Sequence, residues 1–141
     1  MKTLIPLLLA LFTLPVLADD EIDGAAMDAF SSFESAWEGG DAKGMGSLFD
    51  SAKGAKVSLS LDESGSYSRD QAIALLKKYF ESTSDRSIEV AKDGRQGGDN
   101  PSTTYTYKYK DSDDKKRTAK VYVQLVKKND QWVISKITVL K

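Results

Sequence analysis

The side chains able to move a proton in this chain are carboxylates and phenols, because neither His nor Cys occurs among its 141 residues. Without imidazole there is no Ser-His-Asp triad, no His general base near neutral pH and no His metal ligand. Without thiol there is no Cys nucleophile, zinc knuckle, iron–sulfur cluster or disulfide. Acid–base chemistry would fall to Asp28, Glu34 and Asp70, supported by Tyr105, Tyr107 and Tyr109 at every second position of one segment. A carboxylate becomes a useful base at neutral pH only when burial or a charged neighbour shifts its pKa. All three carboxylates lie off the apolar stripes of their segments, so the spacing predicts solvated faces and assigns no catalytic residue.

Other motifs offer little more. Asp111-Ser112-Asp113-Asp114 carries acidic spacing, but Lys115 and Lys116 stand where a calcium loop needs a ligand and then a Gly. It reads as a charged hairpin turn, and no metal or cofactor is expected. Gly94, Gly97 and Gly98 lack the Lys-Ser/Thr of a phosphate loop and lie between strands, so no helix dipole backs them. With 20 Lys+Arg against 21 Asp+Glu, a net charge of −1 also argues against nucleic acid as a partner. A hydrophobic content of 40% is too high for a disordered chain.

The elements that must position these groups follow from periodicity. Ile22, Ala26, Ala29, Phe30, Phe33 and Trp37 recur at helical spacing, and Gly39-Gly40 stops that helix. Asp41 is placed to cap a short second helix with an apolar face of Met45, Leu48 and Phe49. Residues 56–61 switch to period two, with Val57, Leu59 and Leu61 on one face, and residues 62–65 read as a turn. Ser68-Arg69-Asp70-Gln71 is a capping box opening a helix with the stripe Ile73, Leu76, Tyr79 and Phe80.

An antiparallel meander is expected afterwards. Its first strand holds Ile88 and Val90 and ends at Asp93-Gly94, before a polar loop over 94–101. The tyrosine strand comes next, then a strand with Ala119, Val121, Val123 and Leu125 inward, and an Asn129-Asp130 hairpin turn. In the last strand Trp132 and Ile134 share one parity, Ile137 and Val139 the other. A β-bulge near Ser135-Lys136 would bring all four to one face.

The start of the chain reads as an address. Met1-Lys2 supply positive charge, Leu4 to Leu14 an apolar run, and Val16 and Ala18 small residues before Asp19. Leu4 to Ala18 is 15 residues, short of the roughly 20 that span a bilayer. The expectation is a cleavable signal peptide over residues 1–18 and one domain over 19–141. That domain would be periplasmic or secreted, soluble, and free of a lipid anchor since no Cys follows the cleavage site.

The order α-α-β-α-β-β-β-β has a family likeness. Ala29-Phe30, Gly40-Asp41-Ala42, Leu48-Phe49, residues 67–72, Leu76, Tyr79-Phe80, Trp132-Val133-Ile134 and Ile137-Thr138-Val139 carry it. The chain resembles the nuclear-transport-factor-2-like (cystatin-like) superfamily, and within it most closely domain of unknown function 4783, a family of small exported bacterial proteins. The resemblance covers about residues 25–141. It implies an α+β, cone-shaped domain whose helices pack on a strongly curved antiparallel sheet that cups a cavity. Some enzymes of that superfamily pair a buried Asp with a Tyr oxyanion donor. The inward strand positions here (Val57, Leu59, Leu61, Val121, Val123, Leu125) offer no such carboxylate.

Three functions are therefore carried forward from the sequence. The first is an exported, non-catalytic binding module taking a small apolar or amphipathic ligand, with Phe33, Trp37, Tyr79 and Tyr107 as pocket candidates. These four rings equally suit core packing. The second is a protein-interaction or homodimerisation domain using Thr104, Thr106, Tyr122 and Gln124 as a flat, weakly charged patch on the outer sheet face. The third is an Asp/Tyr isomerase or dehydratase, which requires a buried carboxylate.

Overall fold

The computed structural model describes residues 22–59 and 64–141. The expected leader, its cleavage site, Leu61 and the start of the 62–65 turn lie outside the described residues. Helix α1 (Gly24–Gly39) buries Ala26, Phe30, Phe33, Ala36 and Trp37. It ends at Gly40 with φ 66°, a left-handed conformation that glycine adopts freely. Asp41 caps α2 (Ala42–Gly46) by accepting from the Gly44 amide at 2.9 Å. Helix α3 (Arg69–Glu81) opens with the expected capping box: the Gln71 amide donates to Ser68 Oγ at 3.3 Å, and the Ser68 amide to Gln71 Oε1 at 3.0 Å. Ala72, Leu76 and Phe80 are buried beneath it, while Ile73 and Tyr79 are half-buried.

These helices pack against a six-stranded sheet made of β1 (Ala55–Ser58), β2 (Ser64–Tyr67), β3 (Ser84–Gln96), β4 (Ser102–Lys110), β5 (Lys116–Lys128) and β6 (Gln131–Leu140). The strand order is β2-β1-β6-β5-β4-β3. The expected order of elements is present with one addition. The first strand stops at Ser58, and β2 returns beside it in the register Ala55↔Tyr67 to Ser58↔Ser64. Ser64-Gly65-Ser66 has no apolar alternation because it forms an exposed sheet edge, so periodicity gave no sign of it. A second difference is that β1 pairs with β6 in parallel, through Lys56↔Lys136 and Ser58↔Thr138, whereas the other neighbours are antiparallel.

Three register shifts interrupt the sheet, one between Ser84 and Ser87 of β3 and two that bear on the site. In β6 the pairing passes from Gln124↔Lys136 to Leu125↔Ile134, leaving Ser135 as the extra residue. Its hydroxyl donates to the Gln124 carbonyl at 3.1 Å. The shift turns Ile134, Ile137 and Val139 all inward and buries them, as the slipped parity predicts, while Trp132 stays half-buried. In β3 the register passes from Val90↔Tyr105 to Arg95↔Thr103. The strand therefore does not end at Asp93-Gly94; it kinks there and continues to Gln96. Asp93 has φ 55°, and a Cβ on buried Gly94 would come within 2.4 Å of the Thr104 carbonyl oxygen. Glycine is required by that close approach.

Candidate functional site

The kinked β3 and the alternating β4 face α1 and the end of α3, and side chains from all four meet there. Tyr105 and Tyr107 project from β4 to the inner face and are fully buried, with Tyr109 beside them. Phe33 lies 5.6 Å from Tyr105 and 5.5 Å from Trp37, centroid to centroid. Trp37 in turn meets Tyr107 at 5.4 Å, Phe80 at 5.1 Å and Tyr79 at 5.8 Å. Phe33 and Tyr105 are stacked and the other pairs tilted or edge-to-face, at separations that favour aromatic packing. The four expected pocket residues do converge. Phe33, Trp37 and Tyr107 are fully enclosed, and Tyr79 is the half-buried member at the rim.

The polar atoms of this cluster are not matched. Trp37 Nε1, Tyr79 OH and Tyr107 OH are buried and have no hydrogen-bond partner. Burial raises the phenol pKa values of both Tyr79 and Tyr107, which also act on one another. Leaving a buried donor unmatched costs about 1–3 kcal/mol, so three in one cluster is a concentrated expense for a domain of this size.

Beside the cluster is a satisfied network. Glu34 Oε2 accepts from Tyr105 OH at 2.8 Å and from Arg95 Nη2 at 3.1 Å. Arg95 also donates to Thr103 Oγ1 at 3.2 Å and lies 5.4 Å from the Phe30 ring centre. Burial, then the Glu34 contact, raises the Tyr105 pKa. The expectation of a solvated Glu34 is thus corrected. It sits one residue off the buried stripe of α1, and the β3 kink swings Arg95 inward to meet it. Asp28 and Asp70 are exposed as expected.

Sequence reasoning assigned no role to Arg86, which braces the cluster from behind. Its guanidinium donates to the Trp37 carbonyl at 3.2 Å, to the Thr83 carbonyl at 2.7 Å and to the Phe80 carbonyl at 3.4 Å, and lies 5.2 Å from the Phe80 ring centre. One cation therefore serves carbonyls at the C-terminal ends of both α1 and α3, where the helix dipoles favour positive charge.

On the opposite side of the sheet, Thr104, Thr106, Tyr122 and Gln124 share a face, as the registers Thr104↔Tyr122, Thr106↔Lys120 and Ser102↔Gln124 require. The face is not weakly charged. Lys56, Lys108, Lys120 and Lys136 stand on it in the same registers, and all four are exposed. Periodicity places residues on a face, but only strand pairing reveals which strands gather there. Among the described residues no helix is long and apolar enough to cross a membrane.

Solved structures share this architecture. A protein with a ketosteroid isomerase-like fold from Catenulispora acidiphila, in complex with trimethylamine, superposes with a TM-score of 0.62 at 12% identity, over 80% of this chain and 84% of its own. A family protein from Bacteroides fragilis gives 0.59 at 13% identity, over 77% of this chain and 93% of its own. Another from Bacteroides uniformis gives 0.59 at 13% identity, over 79% and 94%. At these identities the likeness concerns the fold. No curated protein matches the chain. The family described as domain of unknown function (DUF4783) matches residues 30–139, nearly the whole described fold, and the chain belongs to that family.

Proposed function

We propose that the chain is an exported, non-catalytic binding domain whose aromatic cluster takes a small amphipathic guest bearing hydrogen-bond acceptors. The observation that carries this reading is the set of three unpartnered donors, Trp37 Nε1, Tyr79 OH and Tyr107 OH, gathered among stacked rings. A guest with one polar edge and one flat apolar face would satisfy those donors and replace the contacts of the ring it displaces. Tyr79 is half-buried at the rim, and entry of the guest requires that ring to swing aside. The export part rests on the leader-like residues 1–18.

The non-catalytic part rests on the carboxylate network. An Asp/Tyr enzyme needs a carboxylate free to take a substrate proton, and Glu34 accepts from the Tyr105 hydroxyl instead. Arg95 holds the same carboxylate oxygen, so the three residues act as a clasp between α1 and the sheet.

Thermal-shift titrations with benzamide, acetophenone and p-nitrophenol test the reading, with trimethylamine as a cation lacking an acceptor. The acceptor-bearing compounds should raise the melting temperature of the wild type and leave Y79F/Y107F unmoved. Native mass spectrometry of protein secreted from the full chain should show a retained small molecule. A melting temperature indifferent to all four compounds, together with a bare mass, would refute a ligand in the cluster and leave bound water as the donors' partner.

A further inference from the structure

The outer face of the sheet carries its charges in rows fixed by the register. One row runs Ser66, Lys56, Lys136, Gln124, Ser102 and the next Ser64, Ser58, Thr138, Tyr122, Thr104. Beyond them come Leu140, Lys120, Thr106, Glu89, then Thr118, Lys108, Ser87, and finally Lys116, Lys110, Ser84. Glu89 is the single carboxylate in these rows. Lys110 has Asp85 at 3.2 Å, but Lys56, Lys108, Lys116, Lys120 and Lys136 make no ion pair among the described residues. A chain of net charge −1 has therefore gathered unpaired cations on one face.

One feature of that arrangement is unfavourable in the isolated chain. Lys56 and Lys136 are direct cross-strand partners without a counter-ion, whereas Lys110, the partner of Lys116, has Asp85 beside it. Like charges directly opposite one another destabilise a sheet. Each pair borders a groove. One of about 300 Å³ lies beside Lys56 and Lys136 and is lined with Ser58, Ser64, Ser66 and Thr138. The other, of about 620 Å³, opens at the end of the sheet and is bordered by Lys108, Lys110, Lys116 and Arg117 together with Asp85 and Tyr109; Lys110 is paired with Asp85 and Arg117 with Asp111, which leaves Lys108 and Lys116 as its free cations among the described residues. Counted along β5 from Gln124 to Lys116, the grooves stand roughly 27 Å apart at the usual strand rise. A compact anion cannot bridge them, whereas an extended one can.

We infer that the outer sheet face is a docking surface for an extended acidic polysaccharide. Lys56 and Lys136 take its carboxylates at one end, Lys110 and Lys116 at the other, and Lys120 takes one between. Charge complementarity calls for a polyanion, and the rows of Ser and Thr hydroxyls with Gln124 suit a partner that itself presents hydroxyls. Lysine supplies point charges without the fixed fork by which arginine recognises phosphate. Stacking platforms for nucleic-acid bases are missing from these rows apart from half-buried Tyr122. A planar lipid surface fits poorly against a sheet interrupted by three register shifts, and a second copy docking through the same face would oppose lysine with lysine. This surface lies across the sheet from the aromatic cluster and is independent of what that cluster binds.

Binding of a polygalacturonate long enough to span both grooves tests the inference, measured by interferometry on the full chain at low and high salt. The wild type should bind, and binding should weaken with salt as exposed charges are screened. K56Q/K136Q and K110Q/K116Q should each bind about five- to tenfold more weakly, the effect of losing two exposed charge contacts, with both variants folded and K56Q/K136Q melting no lower than the wild type. Y79F/Y107F should bind as the wild type does. The inference fails if the wild type does not bind, if neutral dextran binds equally, or if either lysine double variant binds like the wild type. Tighter binding of phosphatidylglycerol vesicles, duplex DNA or polyglutamate would assign the face to that partner and overturn the polysaccharide.

Discussion

Tyr107→Phe removes one oxygen from the centre of the core, and the sign of its effect discriminates sharply. The ring is fully buried, packs edge-on to Trp37 at 5.4 Å and stacks on Tyr109 at 4.5 Å. Phenylalanine keeps both contacts. What it deletes is a hydroxyl with no partner, whose burial costs about 1–3 kcal/mol. The proximity of Tyr79 OH offers partial electrostatic compensation, so the lower end applies and the guest-free variant should be more stable by about 1 kcal/mol. For a domain of this size that raises the melting temperature by about 3–5 °C. It should also move the urea midpoint upward by about 0.5 M at an m-value near 2 kcal/mol/M. The assay is equilibrium urea unfolding followed by Trp fluorescence, with protein refolded from denaturant so that no bound molecule survives purification. A variant less stable than wild type by 1 kcal/mol or more would refute the reasoning, since it would mean that the hydroxyl makes a favourable bond in the refolded protein.

Four further outcomes are expected. Arg86→Met should destabilise the fold by about 2–4 kcal/mol in urea unfolding, because carbonyls at the ends of two helices lose their shared donor. Glu34→Ala should cost about 1–3 kcal/mol by leaving buried Tyr105 without an acceptor, and hydrogen exchange should show α1 loosening against β3 and β4. Gly54→Ala should cost at least about 1–2 kcal/mol, since Gly54 has φ 65° and an added Cβ would meet the Tyr67 carbonyl at 1.9 Å. Asp50 accepts from Lys128 at 2.6 Å, and that contact, followed by the Ala52 amide, holds its pKa below the usual 3.8. A carboxyl with a depressed folded pKa stabilises the fold above its unfolded pKa and loses that contribution as pH falls through the folded one. The stability gap between wild type and Asp50→Asn, read by circular dichroism, should therefore close as pH drops from 5 toward 2. A gap constant across that range would contradict the assignment.

Local chemistry made much of this fold legible. Ser68 and Gln71 announced a helix start, Gly40 a helix stop, and the parity slip after Ile134 a bulge at Ser135, because each signal lies within a few residues of its structural effect. The convergence of Phe33, Trp37, Tyr79 and Tyr107 was equally readable, since it needs only the inward stripe of each element. What escaped depended on distant pairing. Glu34 looked solvated because its partners, Arg95 and Tyr105, come from strands about 60–70 residues away. Arg86 had no local signature, for its acceptors belong to two different helices. Strand β2 escaped because an edge carries no buried alternation, and the basic outer face because lysines on β1, β4, β5 and β6 are neighbours only in the sheet.

The parallel seam between β1 and β6 has a kinetic meaning. β3 to β6 form successive antiparallel pairs joined by short turns, so their contacts are local and close early. The β1–β2 hairpin gains its place in the sheet only by docking on β6, some 80 residues away along the chain. Non-local pairings of that kind dominate loop-closure entropy and slow folding. The meander should therefore act as the template, with α1, α2, β1 and α3 condensing late onto its inner face. A lesion in β6 such as loss of the Ser135 bulge would then slow refolding more than an equal loss of stability in α1, which would chiefly speed unfolding.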